Sequence, residues 1–188
     1  GVQVPINKDE KGERLAYVIN YSEMIALVVD PSGLPLIQEI ADQLDNLKVV
    51  YVTGEPSEVP DKIGDIAAEP FNNLQEFSTD NPNVDVKISD KERCMFTSGT
   101  TGKPKGVVRE HGGVVLTVRA YLQQQGIRND DIMMSVLSLG HANAQAMCLF
   151  SSIGAGATAI FFPRFSASNF FKWAHNCGAT ITNFLGAV

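Results

Sequence analysis

The sequence predicts an α/β fold in which a layered, mostly parallel sheet carries flanking helices. Short apolar runs of strand length alternate with longer stretches whose apolar residues recur at helical spacing. This alternation is typical of βαβ units and therefore of parallel strand pairing. With 188 residues, of which 44% are hydrophobic and 19% charged, the chain is long and apolar enough to enclose a core of domain size.

The first section of the chain, residues 1–54, shows this alternation most simply. The predicted strands are residues 2–6, 26–29 and 48–52, and the predicted helices are residues 10–22 and 34–44. In residues 55–90 the apolar pattern weakens, and four prolines prevent one continuous helix. We therefore predict an irregular surface connection with one or two short helical turns. A functional lid is the alternative.

Residues 91–188 form the second predicted α/β section. A short strand at 93–96 leads into a Gly-rich loop, after which helices and strands alternate. The predicted helices are residues 112–125, 144–152 and 166–176, and the predicted strands are residues 132–137, 157–161 and 180–185. Gly126 is the expected end of the first of these helices.

Composition excludes several classes of partner. Lys and Arg number 15 against 21 Asp and Glu, and the net charge of −6 gives no general attraction to nucleic acid or anionic lipid. No apolar run approaches the roughly 18 residues of a membrane span, and the N-terminus lacks the pattern of a signal peptide. The widely spaced Cys94, Cys148 and Cys177 lie in apolar surroundings that suit reduced thiols rather than a disulfide frame or a zinc site. These features favour a reducing, cytoplasmic compartment and a small-molecule or protein partner.

The loop at residues 97–106, TSGTTGKPKG, holds four hydroxyl side chains, three glycines and two lysines. Glycines let the backbone approach an anion, N–H and hydroxyl groups donate hydrogen bonds, and lysines supply charge. The residues expected to bind a polyphosphate are Thr97, Ser98, Gly99, Thr100, Thr101, Gly102, Lys103 and Lys105. The string does not fit the Walker A pattern G-x-x-x-x-G-K-[ST], which excludes an ordinary P-loop NTPase. For any shorter piece of the string, a plain polar turn is the alternative.

Residues 95–107, MFTSGTTGKPKGV, resemble the signature of the adenylate-forming superfamily, which includes acyl-CoA synthetases, firefly-type luciferases and the adenylation domains of peptide synthetases. The resemblance extends upstream through GVQVPIN and LAYVINYSEMIALVVD, and downstream to LSLGH at 137–141. There Ser138 and Gly140 replace the usual Pro and Phe. The closing stretch, FFPRFSASNFFKWAHNCGATITNFLGAV, looks most like acyl-CoA synthetases of the crotonobetaine/carnitine-CoA ligase type. The chain is therefore identified as part of the large N-terminal, AMP-binding domain of such an enzyme.

This resemblance implies two half-reactions. A carboxylate attacks the α-phosphate of Mg-ATP to give an acyl-adenylate and pyrophosphate, and a thiol such as CoA then displaces AMP. ATP, Mg²⁺ and CoA are thus the expected co-substrates of the parent enzyme, with a carboxylic acid as its small-molecule partner. The loop would stabilise the departing pyrophosphate.

The resemblance also implies a catalytic role for His141 beside the acyl and adenylate pocket, where an imidazole could orient the carboxylate or gate the channel. A neutral histidine packed at a strand end is the alternative. Asn143, Ala144 and Gln145 could line the acyl pocket or, equally, the core.

Further motifs of the superfamily, among them a Tyr-Gly-x-Thr-Glu segment and a C-terminal lysine, do not occur in the sequence. The chain also lacks an initiator Met and stops within an apolar run, as expected of a section of a longer protein. We therefore expect no acyl-adenylate formation by this chain alone. Two other interpretations stay open: an amino-acid-activating adenylation domain, and a non-catalytic ATP-binding module that kept the loop.

Overall fold

The computed structural model describes residues 1–97 and 103–185. It is an α/β structure with mixed sheets and flanking helices, which confirms the predicted fold class. The chain divides into two compact units. The first unit comprises residues 8–85 and 96–106, and the second comprises residues 1–7, 86–95 and 107–188.

The first unit is built on a four-stranded sheet. Its elements are the helices α1 (Gly12–Tyr21) and α2 (Leu34–Ile40) and the strands β1 (Ala26–Val29), β2 (Val49–Val52), β3 (Lys62–Ile63) and β4 (Ile66–Pro70). The strand order is β1-β2-β4-β3, and β1, β2 and β4 are parallel. Val50 and Val52 of the central strand β2 are fully buried, as β-branched residues of an interior parallel strand should be.

Residues 55–90 are more regular than the sequence predicts. They contain the antiparallel pair β3 and β4, and β4 extends the parallel sheet beside β2, so the prediction of an irregular connection is wrong for this stretch. The strand was missed because its sequence, IAAEP, contains two alanines and ends in proline, which are weak strand formers. Two short 3₁₀-helical segments, Pro56–Glu58 and Phe71–Glu76, do match the short helical turns expected there.

Two strands lie on either side of the Gly-rich loop. They are β5 (Lys91–Phe96) and β6 (Gly106–Glu110), which form a two-stranded sheet. The sequence predicts the first of these strands but not the second, GVVRE, which lies between the loop and the next predicted helix. Of the predicted strand at 2–6, Gln3 forms a parallel bridge to Arg93 of β5.

The second unit contains a parallel sheet of order β8-β7-β9. Its helices are α3 (His111–Gln125), α4 (Ser151–Ala155) and α5 (Phe170–Asn176), and its strands are β7 (Ile132–Ser135), β8 (Thr158–Phe161) and β9 (Ile181–Thr182). A π-helical segment, Ala144–Phe150, leads directly into α4. Gly126 ends α3 in the left-handed conformation, with φ of 65°, as predicted.

The core of the second unit lies on both faces of β7. Met133 packs with Ile127 and Cys148 on one side, whereas Met134 packs with Val136 and Phe170 on the other. Adjacent strand residues point to opposite faces, so each methionine anchors a separate layer of helices. Among the described residues, no helix combines the length and apolar character needed to span a membrane.

Candidate functional site

The base of the Gly-rich loop is closed by the backbone. Strand β5 runs into Thr97, whose N–H donates to the carbonyl oxygen of Lys105 at 3.0 Å. Thr97, Lys103 and Lys105 are exposed, while Pro104 is buried between the two lysines and anchors that side of the loop. The remaining residues predicted to bind polyphosphate lie outside the described residues: Ser98, Gly99, Thr100, Thr101 and Gly102.

Both flanks of the loop contact aromatic residues of α1. The ammonium nitrogen of Lys103 lies 5.0 Å from the centroid of the Tyr17 ring. Tyr17 stacks on Tyr21 with ring centroids 5.3 Å apart, and Tyr21 in turn meets Phe96 edge to face at 6.0 Å. The rings are one helical turn apart on the same face of α1, which lets them support the entry and the exit of the loop together.

His141 lies in a tight turn within the second unit. Its backbone N–H donates to the Ser138 carbonyl at 3.0 Å, and the Gly140 N–H donates to the Ser138 hydroxyl at 3.1 Å. The His141 side chain is exposed. Ser138, one of the two departures from the family pattern, therefore supplies both its carbonyl and its hydroxyl to hold the turn.

Gly140, the other departure, permits a close backbone approach. A Cβ at this position would lie 3.1 Å from Asn7 Cα and 3.2 Å from the Ile6 carbonyl oxygen. The phenylalanine usual in the family would displace residues 6–7. Beside the turn, a cleft of about 290 Å³ is lined mostly by apolar residues, with two amides among them: Gln3, Pro5, Ile6, Leu139, Gly140, Gln145, Leu149 and Phe150.

A buried arginine connects β5 with the π-helical segment. Arg93 is 4% exposed, forms an ion pair with Glu92 at 2.8 Å, and lies 4.7 Å from the centroid of the Phe150 ring. Its guanidinium also donates to Oε1 of Gln145. Burial lowers the pKa of Arg93, Glu92 opposes this effect and Arg109 adds to it, but a guanidinium stays charged at neutral pH.

Sequence reasoning did not single out Arg93 as a functional residue. The available signal was a charged residue at an inward position of the strand KERCMF, next to apolar Met95. Within residues 1–97 and 103–185, no three His, Cys, Asp or Glu side chains cluster closely enough to hold a metal ion. The site residues described thus offer hydroxyl, amide, imidazole and ammonium groups, which suit hydrogen bonding and charge compensation.

The chain belongs to the AMP-binding enzyme family, whose model matches residues 1–188. Relatives include the crotonobetaine/carnitine-CoA ligases of Salmonella typhi and Salmonella typhimurium, each 28% identical to this chain over 184 residues. These matches confirm the family predicted from the loop and its flanks. They cover 96% of this chain but 35% of each relative, so the chain spans about a third of their length.

Solved structures show the same fold. The anthranilate CoA ligase AuaEII, in complex with anthranoyl-AMP, is 25% identical with a TM-score of 0.85, covering 96% of this chain and 34% of that one. The N-terminal domain of FACL13 from Mycobacterium tuberculosis is 24% identical with a TM-score of 0.82, covering 99% of this chain and 44% of that one. The fold is therefore that of the N-terminal domain of adenylate-forming ligases.

Proposed function

We propose that the chain is the phosphate-binding section of an ATP-dependent acyl-CoA ligase, an acid-thiol ligase that activates a carboxylic acid as an acyl-adenylate and transfers it to CoA. The observation that carries this proposal is the loop at 97–106, which keeps the family sequence and whose ends are joined by the hydrogen bond from Thr97 to Lys105. Similarity to CoA ligases supports acyl transfer to CoA over the other reactions of the superfamily. In this proposal residues 1–188 are part of the large N-terminal domain.

The chemical task of the loop is to compensate negative charge. Bound ATP with Mg²⁺ supplies the phosphorus that the carboxylate attacks. Hydroxyl groups of Thr97, Ser98, Thr100 and Thr101 would donate hydrogen bonds to the β- and γ-phosphates, and Gly99 and Gly102 would give access to backbone N–H groups. Lys103 and Lys105 would add positive charge, but each contributes less than a hydroxyl hydrogen bond because exposed lysines are well solvated.

His141 is proposed as the catalytic residue on the acyl side of the site. Its exposed imidazole is carried by a turn that Ser138 holds rigidly through two hydrogen bonds. An imidazole so placed can donate to a carboxylate oxygen and orient it for attack. The same side chain could close the acyl channel once the adenylate has formed.

The proposal is tested by ATP–pyrophosphate exchange that depends on a carboxylic acid, measured on the product of the complete reading frame. Thr97→Ala should lower kcat/KM for ATP about 10- to 150-fold, since a hydrogen bond to a charged group contributes about 1.5–3 kcal/mol. Lys103→Gln and Lys105→Gln should lower it by up to about fivefold. Lys62→Gln, an exposed lysine on β3, is the matched control and should have no effect.

Three results would contradict the proposal. They are exchange that needs no acid, exchange unaffected by the loop substitutions, and AMP release that does not depend on CoA. The 188-residue chain alone should show no exchange.

A further inference from the structure

Gln145 contacts the His141 turn at two points. Its side-chain Nε2 donates to the carbonyl of Leu139 at 2.6 Å, and its backbone N–H approaches the carbonyl of His141 at 3.4 Å. Gln145 is 2% exposed, so water cannot readily replace these bonds. One buried side chain thus binds the backbone two residues before His141.

The Arg93 guanidinium meets the oxygen end of the Gln145 amide. A glutamine amide has a donor end and an acceptor end, and the Leu139 carbonyl requires the donor. The Arg93 guanidinium, which can only donate, takes the acceptor Oε1. With Arg93 in place, a flipped amide would set its NH₂ against a guanidinium and its oxygen against a carbonyl.

Arg93 itself has several contacts. It pairs with Glu92, lies against the Phe150 ring, and its strand is bridged to Gln3. Buried ion pairs can often be replaced by well-packed apolar residues without loss of stability, so stability alone gives little reason for a charge at this position. The orientation of the Gln145 amide gives a specific reason for a charge at position 93.

We infer that Arg93 and Gln145 are positioning residues for His141: Arg93 orients the Gln145 amide, and Gln145 fixes the turn that carries the imidazole. The inference rests on the proposed function in so far as it takes His141 to act at the acyl-adenylate site. It adds two residues, on different elements, that reach the reaction only through that histidine.

Amide hydrogen exchange in the 188-residue chain tests the inference. Gln145→Leu and Gln145→Glu both remove the donor to Leu139, so exchange at Gly140 and His141 should accelerate about fivefold, as expected for one net hydrogen bond. Arg93→Met should also accelerate exchange at these two amides. Arg93→Lys keeps a donor and should retain most of the protection. Ser152→Ala, a buried polar residue in α4 just beyond the π-helical segment, is the control and should leave these amides unchanged.

The double variant Arg93→Met/Gln145→Leu separates this network from independent structural roles. Because both residues act through one amide, the double variant should accelerate exchange no more than Gln145→Leu alone. Unchanged exchange at Gly140 and His141 in a folded Gln145→Leu chain overturns the inference, and so does a double variant whose effect is the product of the two single effects. If Arg93→Met does not fold, the Gln145 variants and Arg93→Lys still decide the matter.

The result of the amide hydrogen-exchange experiment does not depend on whether the proposed function is correct. Absence of acid-dependent ATP–pyrophosphate exchange in the complete protein would remove the role of His141 as a catalytic group, while amide protection at the turn would still report whether Arg93 and Gln145 hold it. In the complete protein, loss of kcat in Gln145→Leu with an unchanged KM for ATP would connect the support of the turn with the catalytic role of His141.

Discussion

Replacing Gly140 with alanine should destabilise the second unit although it adds only one methyl group. The new Cβ would lie 3.1 Å from Asn7 Cα, 3.2 Å from the Ile6 carbonyl oxygen and 3.3 Å from the Asn7 nitrogen. All three are backbone atoms, which cannot move aside as a flexible side chain would. Overpacking of this kind costs about 1–3 kcal/mol. A glycine-to-alanine change also lowers the entropy of the unfolded chain, which stabilises the folded state by about 0.4–1 kcal/mol.

The net effect should be a loss of about 1–2 kcal/mol, equivalent to a Tm lower by about 2–8 °C for a chain of this length. Thermal unfolding followed by fluorescence measures it, because the single tryptophan, Trp173, lies in the same unit and stacks on Phe162 at 4.5 Å. Gly113→Ala in α3 is the matched control, since a Cβ there meets nothing within 4 Å. That variant should be more stable by about 0.5–1 kcal/mol. Equal Tm shifts in the two variants would refute the argument from backbone crowding.

Three further predictions concern other parts of the chain. In Tyr17→Leu the ε-CH₂ protons of Lys103 should lose an upfield ring-current shift that Tyr17→Phe retains; identical NMR shifts in both variants would exclude the cation–π contact. Burial raises the pKa of Cys148 to about 11, so at pH 8 its alkylation should be slower than that of the two half-buried cysteines, and equal rates would contradict this. Thr180→Val should lower Tm, because the hydroxyl donates to Asp131 at 2.8 Å. The pKa of the Asp131 carboxyl is lowered chiefly by the hydrogen bond from the Arg128 backbone N–H and next by this bond from Thr180. A group with a lowered pKa stabilises the fold above its ordinary pKa of 3.8, so the part of the Tm difference that comes from Asp131 should be lost in acid. The Thr180 hydroxyl also accepts from the Ile132 N–H at 3.0 Å, so a smaller difference should remain there; a difference that does not change with pH would exclude the contribution of Asp131.

Much of the fold could be predicted from apolar periodicity. Strands β1, β2 and β7 are short runs of β-branched or bulky apolar residues, and helix α3 ends at a glycine that takes the left-handed conformation. Strand β4 was not predicted, because its burial depends on β2 and β3 on either side of it and not on its own composition.

The candidate site, like the fold, could be predicted from the sequence only in part. The loop at 97–106 can be predicted as a polyphosphate site because the residue types that suit this chemistry are adjacent in sequence. Arg93 could not be predicted, since its partner Gln145 lies 52 residues away and meets it only through tertiary packing. A charged residue within a strand can be assigned to a buried pair only once its partner is known.

Pyrophosphate binding observed residue by residue tests the central claim most directly. In a ¹⁵N-labelled 188-residue chain, added pyrophosphate should produce weak, saturable chemical-shift changes at the backbone amides of residues 97–103, 105 and 106, reduced by Thr97→Ala and by high salt. The His141 turn should respond less than the loop. Shifts that do not saturate, or that appear equally around the exposed Lys62, would contradict the assignment of this loop as a polyphosphate site.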